Sequence, residues 1–430
     1  MKKIQVIVTV LWALTAFNVK ATRLTPQQAA MRAETILRQM PNISKPQTFS
    51  GTSQKSQVYL ALAETRRQLY IFNIADGGFI IAPVSDASFP VLGYVSDGKY
   101  VEANLPAGMK AWIDYYETAL STMAETSVVS KTTEVERQTV MPLLKSRWGQ
   151  GDPYNRMCPE VEGEKCVTGC VATAIAQILY YYGQPASSKA IYPYRTNTLK
   201  LQMSRLPASD FDWDAMTDVY GSSSTDASCD AVAKLMLYCG CAFTMDYTPS
   251  GSGADVTPVC DGAPYYFGYD TSMKLIDRKD YTDEIWENTV YKQIAAGIPV
   301  LYNGRNSESG HAFVCDGYDN GLFHINWGWS GFCDSWFRLS VLNPYSTTEE
   351  GDGYSDSQSA VINFKPSGWT TDISLRGDVN DDGVVNGTDI QAIINFIVEG
   401  EYDEKADVNE DGKVNGTDIQ EVINIIVNAD

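Results

Sequence analysis

The sequence predicts an α+β protein of several domains that ends in a small all-α module. Three observations carry this. Helix patterns and short strand-like runs are mixed along the first part of the chain. A block rich in Tyr, Trp, Gly and Cys, from about Val140 to Lys365, holds all nine cysteines and both histidines. After it, one loop-and-helix segment occurs twice at a 29-residue offset. At 430 residues the chain exceeds the usual span of one compact domain, and 44% apolar content supplies a sizeable core.

The N-terminus reads as a processing segment. Lys2 and Lys3 precede an apolar run from Ile4 to Phe17 and then Val19-Lys20-Ala21. That order is an export signal, expected over residues 1–21. The run falls short of the roughly 20 apolar residues a membrane-spanning helix needs, and no later stretch could span a bilayer. Export through the Sec route is expected, to the periplasm, the cell surface or the medium.

Thr25-Pro26 marks a helix start, with apolar positions recurring through Ile36 and Leu37. Val58–Leu62, Tyr70–Ile74 and Phe79–Val84 read as strands, the last two joined at Asp76-Gly77-Gly78. This region has no His and no Cys, so common nucleophile and metal chemistry lies elsewhere. The polar stretch Ser121–Thr139 reads as a linker open to proteolysis.

Net charge is −20, which excludes nucleic-acid binding through a basic surface. Much of the charge is local: Ser374 to Asp430 carries fourteen Asp/Glu against three Lys/Arg. Nine cysteines in an exported chain suit bridges plus one free thiol. Cys158 and Cys166 are a bridge candidate by proximity. Cys239 and Cys241 fit equally well as buried small residues.

Gly169 and Cys170 open a helical pattern in which Ile175, Ile178 and Leu179 share a face, closed by Gly183 and Pro185. Cys170 thus sits at a helix N-terminus, where free N–H groups and the positive dipole end favour a thiolate. His311 follows Gly310 at the start of a strand that pairs with Leu322–Trp329 across Gly317–Gly321. A connection centred on Tyr318-Asp319 sets His311 opposite Asn326. A tight Asn320-Gly321 turn offsets them by four residues. The first register lets the Asn326 amide orient the imidazole, as in a Cys–His–Asn site. His324 fits better as a structural histidine. The Cys170 N–H and the Gln150 side chain are the candidate oxyanion donors.

These residues lie in stretches that resemble one family. Gln150–Asn155, Thr168–Ala174, Met245-Asp246-Tyr247, Gly310–Val314, Asn326–Trp329 and Phe337…Pro344 are similar, in order, to the streptopain-like cysteine peptidases of papain-like fold. The resemblance implies Cys170 as nucleophile, His311 as acid/base, Gln150 at the oxyanion hole, and Asn326 with Trp327 supporting the histidine. It implies that Ser252 and Gly310 contact the substrate backbone, and a preference for an apolar residue two positions before the cut. It also implies that Thr25–Thr126 is an inhibitory prosegment, released by cleavage near Arg137–Val140. The expected layout is signal 1–21, propeptide 22–137, peptidase 138–367 and repeat 374–430.

In the repeat, Asp378, Asn380, Asp382, Val384 and Asp389 stand at positions one, three, five, seven and twelve of one loop. Asp407, Asn409, Asp411, Lys413 and Asp418 match them in the other. That is the spacing of a calcium loop, with glycine at six and backbone carbonyls from Val384 and Lys413 at seven. One helix per loop and Asp at twelve resemble a type I dockerin. Two calcium ions are expected, and a cohesin-type partner docked through Gly387-Thr388 and Gly416-Thr417. Catalysis needs no cofactor. The function expected is a secreted cysteine endopeptidase made as a zymogen and acting on proteins. The alternative is a non-catalytic adhesin or scaffold component.

Overall fold

The computed structural model describes residues 22–37, 60–75, 77–86, 88–125, 137–305, 310–340, 358–370, 377–380, 385, 387–400, 402–409 and 412–428. The expected signal, most of the linker, and Asp382, Val384 and Asp411 lie outside them.

One antiparallel sheet runs through both the N-terminal region and the central block. Its strands are β1 (Leu60–Thr65), β2 (Leu69–Ile74), β3 (Phe79–Pro83), β4 (Gly93–Val95), β5 (Lys274–Asp277), β6 (Val300–Arg305), β7 (Gly310–Asp319), β8 (Leu322–Asn326), β9 (Ser335–Phe337) and β10 (Ser359–Ile362). The order is β1-β2-β3-β4-β9-β8-β7-β6-β10-β5. The join between the two regions is β4 on β9, where Tyr94 pairs with Trp336 and Gly93 with Phe337.

Helix α1 (Pro26–Leu37) begins in a capping box: Gln28 N–H donates to Thr25 Oγ1 at 3.3 Å and Thr25 N–H to Gln28 Oε1 at 2.9 Å. Its buried residues Ala29, Ala33 and Leu37 fall four apart on one stripe, packed on β1–β3. Helix α2 (Ala107–Glu125) covers the opposite face. Met109, Trp112, Ile113, Tyr116 and Leu120 line its buried side.

In the central block, α3 (Cys170–Tyr182) packs across the sheet, with α4 (Asp226–Ala242) behind it. Every residue from Val171 to Leu179 is buried, so α3 is a core helix rather than one with a single apolar face. Gly183 ends it in the left-handed conformation at φ 59°. Helices α5 (Val259–Phe267) and α6 (Asp283–Ala295) complete the block. Period-two alternation sorts β7: Ala312 and Val314 face α3, while Phe313 and Cys315 join the core under α2 and α6.

Two expectations are corrected. The β7–β8 hairpin turns tightly at Asn320-Gly321, both with positive φ (48° and 77°), between the paired Asp319 and Leu322. A bulge between Cys315 and Gly317 then shifts the register by one, so Asn326 pairs with Val314 and not with His311. His311 instead pairs with Gly304 on β6. The nine cysteines are all free thiols. Cys158 and Cys166 pack as small apolar residues in the core around α3, and burial pushes the Cys158 thiol up to about 12.

The C-terminal module pairs α7 (Gly387–Glu399) with α8 (Gly416–Asn428) over Val379, Ile393, Ala406, Val408 and Val422. Among the described residues no helix is long and apolar enough to cross a membrane.

Candidate active site

Cys170 is the first residue of α3, and Gly169 before it has φ 86°. A Cβ there would lie 2.5 Å from Met245 Sδ and 3.0 Å from the Ser252 carbonyl, so the entry to the helix requires glycine. Cys170 is partly exposed and His311 is buried, and their side chains interact electrostatically. Burial pushes the Cys170 thiol up. The hydrogen bond to His311, its charge, and the N–H groups of Ala312 and Val171 outweigh that and hold it below the usual thiol value. Burial likewise pushes His311 down, but Cys170 and the Trp327 carbonyl raise it above the usual imidazole value. The two shifts favour the same state, a thiolate beside an imidazolium.

His311 Nε2 lies 3.0 Å from the Trp327 carbonyl oxygen. A carbonyl only accepts, so Nε2 carries a proton and Nδ1 is the nitrogen left for proton exchange with the thiol. The imidazole lies near-parallel to the rings of Phe313 (6.1 Å, 24°) and Trp327 (6.3 Å, 29°), which pack on each other at 4.8 Å.

Asn326, expected to touch His311, does not. Its Oδ1 accepts from Gln177 Nε2 at 3.0 Å and from Gly328 N–H at 3.1 Å. Its Nδ2 donates to the Ser146 carbonyl at 2.8 Å and to Gln177 Oε1 at 3.2 Å. Its partner across the hairpin, Val314, faces α3, and Asn326 turns to the same face. Gln177 also accepts from Ser146 Oγ at 2.9 Å and from Trp148 N–H at 3.2 Å. This one buried amide therefore joins α3, the strand end behind His311, and the loop that carries Gln150. The sequence held a signal for it: Gln177 is, with Thr173, one of two polar residues in the buried stretch of α3.

The Gln150 carbonyl accepts from Thr168 N–H at 3.0 Å, which ties its loop to the approach to Cys170. The Ser252 hydroxyl donates to the Val167 carbonyl at 2.7 Å and accepts from Thr248 N–H at 3.0 Å. Ser252 is thus committed to holding its own loop, and only its backbone faces Gly169. Gly310 is exposed, one residue before His311 on β7.

Sequence reasoning missed α2. Gly108 in its first turn lies so close to the site that a Cβ there would sit 2.4 Å from His311 Cδ2 and 3.0 Å from Trp327 Cε3. Trp112, one turn on, packs edge-on against Trp327 at 6.0 Å, Phe313 at 5.8 Å and Tyr302 at 6.0 Å. The N-terminal region thus covers His311 directly.

In the C-terminal module, Asp378, Asp389, Asp407 and Asp418 are all 6% exposed or less. Burying carboxylates in so small an acidic unit is unfavourable unless a cation shares them. In the second loop Gly412 N–H donates to Asp407 Oδ2 at 2.7 Å, and Asn409 N–H to Asp418 Oδ1 at 3.2 Å. In the first, Val379 and Asn380 N–H donate to Asp389 Oδ1 at 2.9 and 3.2 Å. The carboxylate oxygens of Asp378, Asp389, Asp407 and Asp418 are the hard ligands a calcium ion takes.

A helix-borne thiol, a histidine on the facing strand and a covering N-terminal region define a cysteine endopeptidase of papain-like α+β fold made with an inhibitory prodomain. Residues 148–337 match the model of the peptidase C10 family, residues 21–120 that of the Spi protease inhibitor, and residues 376–427 that of the dockerin type I domain. The chain is 32% identical to streptopain of Streptococcus pyogenes over 322 residues, 69% of this chain and 81% of the relative. It is 29% identical over 333 residues to the thiol protease/hemagglutinin PrtT of Porphyromonas gingivalis, 72% of this chain and 38% of that one. The solved prointerpain A fragment of Prevotella intermedia superposes with TM-score 0.64 at 30% identity, covering 72% of this chain and 99% of the fragment. The chain belongs to the peptidase C10 family.

Proposed function

We propose that Cys170 is the nucleophile and His311 the acid/base of this peptidase. The observation that carries the reading is their pairing at the N-terminus of α3, with His311 Nε2 held by the Trp327 carbonyl. Cys170 Sγ bonds to the peptide carbonyl carbon, and the carbonyl electrons move onto oxygen. The Cys170 N–H and the Gln150 side chain hold that oxyanion. The C–N bond breaks as His311 gives its proton to the leaving amine. Water then attacks the thioester while His311 takes its proton, and the thiolate leaves. Trp327 and Asn326 hold His311, Asn326 through the backbone rather than by direct contact. Substrate lies along the backbone of Ser252 and Gly310, with an apolar residue favoured two positions before the cut.

The export signal at residues 1–21 directs the chain through the Sec route to the periplasm, the surface or the medium, and cleavage near Arg137–Val140 frees the enzyme. Asp378, Asn380, Asp382 and Asp389, with the Val384 carbonyl, hold one calcium ion. Asp407, Asn409, Asp411 and Asp418, with the Lys413 carbonyl, hold a second. Bound calcium would tie these loop oxygens together, and Gly387-Thr388 and Gly416-Thr417 are the positions that would meet a cohesin-type protein. The support is Asn380 Nδ2 on Thr388 Oγ1 and Asn409 Nδ2 on Thr417 Oγ1, both at 2.7 Å, which set the two threonines alike.

The test is covalent labelling of the matured protein by an epoxide thiol-protease inhibitor, located by peptide mass spectrometry. Labelling at Cys170, lost in Cys170→Ala together with casein cleavage, is the expected result. Undiminished cleavage by Cys170→Ala would refute the assignment.

A further inference from the structure

The carbonyl that holds His311 belongs to a peptide that is itself gripped on both sides. The Trp327 C=O and the Gly328 N–H form one planar unit. Asn326 Oδ1 takes the Gly328 N–H at 3.1 Å, so this unit is fixed at both ends. The unit before it ends in the Trp327 N–H, which donates to Asp334 Oδ1 at 2.7 Å. Asp334 stands at the end of the loop between β8 and β9, and no sequence motif pointed to it.

From these contacts we infer that Asp334 is a positioning residue for the peptidase reaction, aiming the Trp327 carbonyl and through it the imidazole of His311. The inference rests on the assignment of Cys170 and His311 above. A short bond from a carboxylate to a backbone N–H is among the stronger hydrogen bonds a protein makes. Losing it frees the Trp327 backbone to rotate, and a small change in carbonyl direction misaims His311.

The charge state of Asp334 matters to the grip. Burial pushes its carboxyl up to about 7, with Asp316 adding to the rise. The Trp327 N–H, His324 and Arg147 oppose it. These are the charged groups that face it: His324 on β8, bonded through Nδ1 to Asp316 Oδ1 at 2.7 Å, Asp316 on β7, and Arg147 on the segment before α3. Asp316 is held in turn by the Leu144 N–H at 2.8 Å. The sign follows directly. Below about pH 7 the carboxyl is neutral and the grip on Trp327 is weaker; above it the grip is full. Because folding raises this acid, its ionisation lowers stability as pH rises between the ordinary carboxylate range and about 7. Above about pH 7 the fold therefore carries a charge it would be more stable without.

The test compares matured wild type with Asp334→Asn and Asp334→Ala, each produced as the full chain and then processed. Asp334→Ala is expected to lose about tenfold in kcat with KM little changed. Asp334→Asn, whose amide oxygen still accepts, is expected to recover part of that loss. In wild type kcat rises through a step near pH 7, and in Asp334→Asn that step is absent. Asp334→Asn is also expected to melt at pH 8 no lower than wild type. Unchanged kcat in Asp334→Ala, a step near pH 7 that persists in Asp334→Asn, or losses that follow the melting temperature would each overturn the inference. Epoxide labelling of Cys170 in wild type keeps the two claims apart. If wild type is labelled and the Asp334 variants turn over normally, only the role of Asp334 fails.

Discussion

Gly108 of the prosegment and His311 of the peptidase are in van der Waals contact, with no room for a side chain on the glycine. The prosegment reaches His311 by direct contact, made by a backbone that can approach because it lacks a Cβ. Gly108→Val should therefore lift α2 off the site. Overpacking of this kind costs about 1–3 kcal/mol, enough to raise the uncovered fraction by roughly tenfold. The rate of epoxide labelling of Cys170 in the unprocessed chain measures it. A variant labelled no faster than wild type would show that α2 does not guard the thiol.

The thiolate–imidazolium pair sets the pH range of reactivity. Cys170 is deprotonated above its lowered value, and His311 is protonated below its raised one. Alkylation of Cys170 in the matured enzyme should stay fast well below the ordinary thiol range. In His311→Ala the histidine's hydrogen bond and charge are gone and burial is opposed only by the Ala312 and Val171 N–H groups, so the alkylation midpoint should move upward. Identical pH curves for the two proteins would contradict the pairing.

Gln177 joins α3, the segment leading to Gln150 and the end of β8. Gln177→Leu leaves the Trp148 N–H, Ser146 Oγ and Asn326 amide without their common partner. Each buried group so orphaned costs about 1–3 kcal/mol. The variant should melt several degrees lower and lose kcat more than KM. A melting temperature equal to wild type would show that the network closes without it.

Calcium should act on the C-terminal module alone. At a free concentration a hundred times Kd, one ion adds about 2.7 kcal/mol to what it binds. Calorimetry of the full chain should show a low transition that moves up with calcium and down with chelator, while the main transition stays. Asp389→Ala and Asp418→Ala should each remove part of the shift. Insensitivity of every transition to calcium would rule the ions out.

The sequence singled out Cys170 and His311, which the structure brings together, and left their supports unread, for physical reasons. Cys170 and His311 announced themselves through helix start, strand start and the scarcity of histidine. The contact between Asn326 and His311 failed because register depends on turn type and on the bulge between Cys315 and Gly317, and a bulge has little local signature. Asp316, His324 and Asp334 acquire meaning only when β7, β8 and the loop before β9 meet. The docking of α2 could not be read either, since an amphipathic helix does not say which face of which sheet will receive it. Gln177 was readable and passed over.

The β4–β9 ladder has a consequence for what maturation leaves behind. Ser335–Phe337 pairs on one side with β8 and on the other with prosegment residues Gly93 and Tyr94. Once the prosegment departs, β9 becomes the border of the remaining sheet, its outer N–H and C=O groups turned to water. At three residues it is too short to template another chain well, which limits aggregation of the freed enzyme. The same edge is the one that Gly93 and Tyr94 cover before maturation.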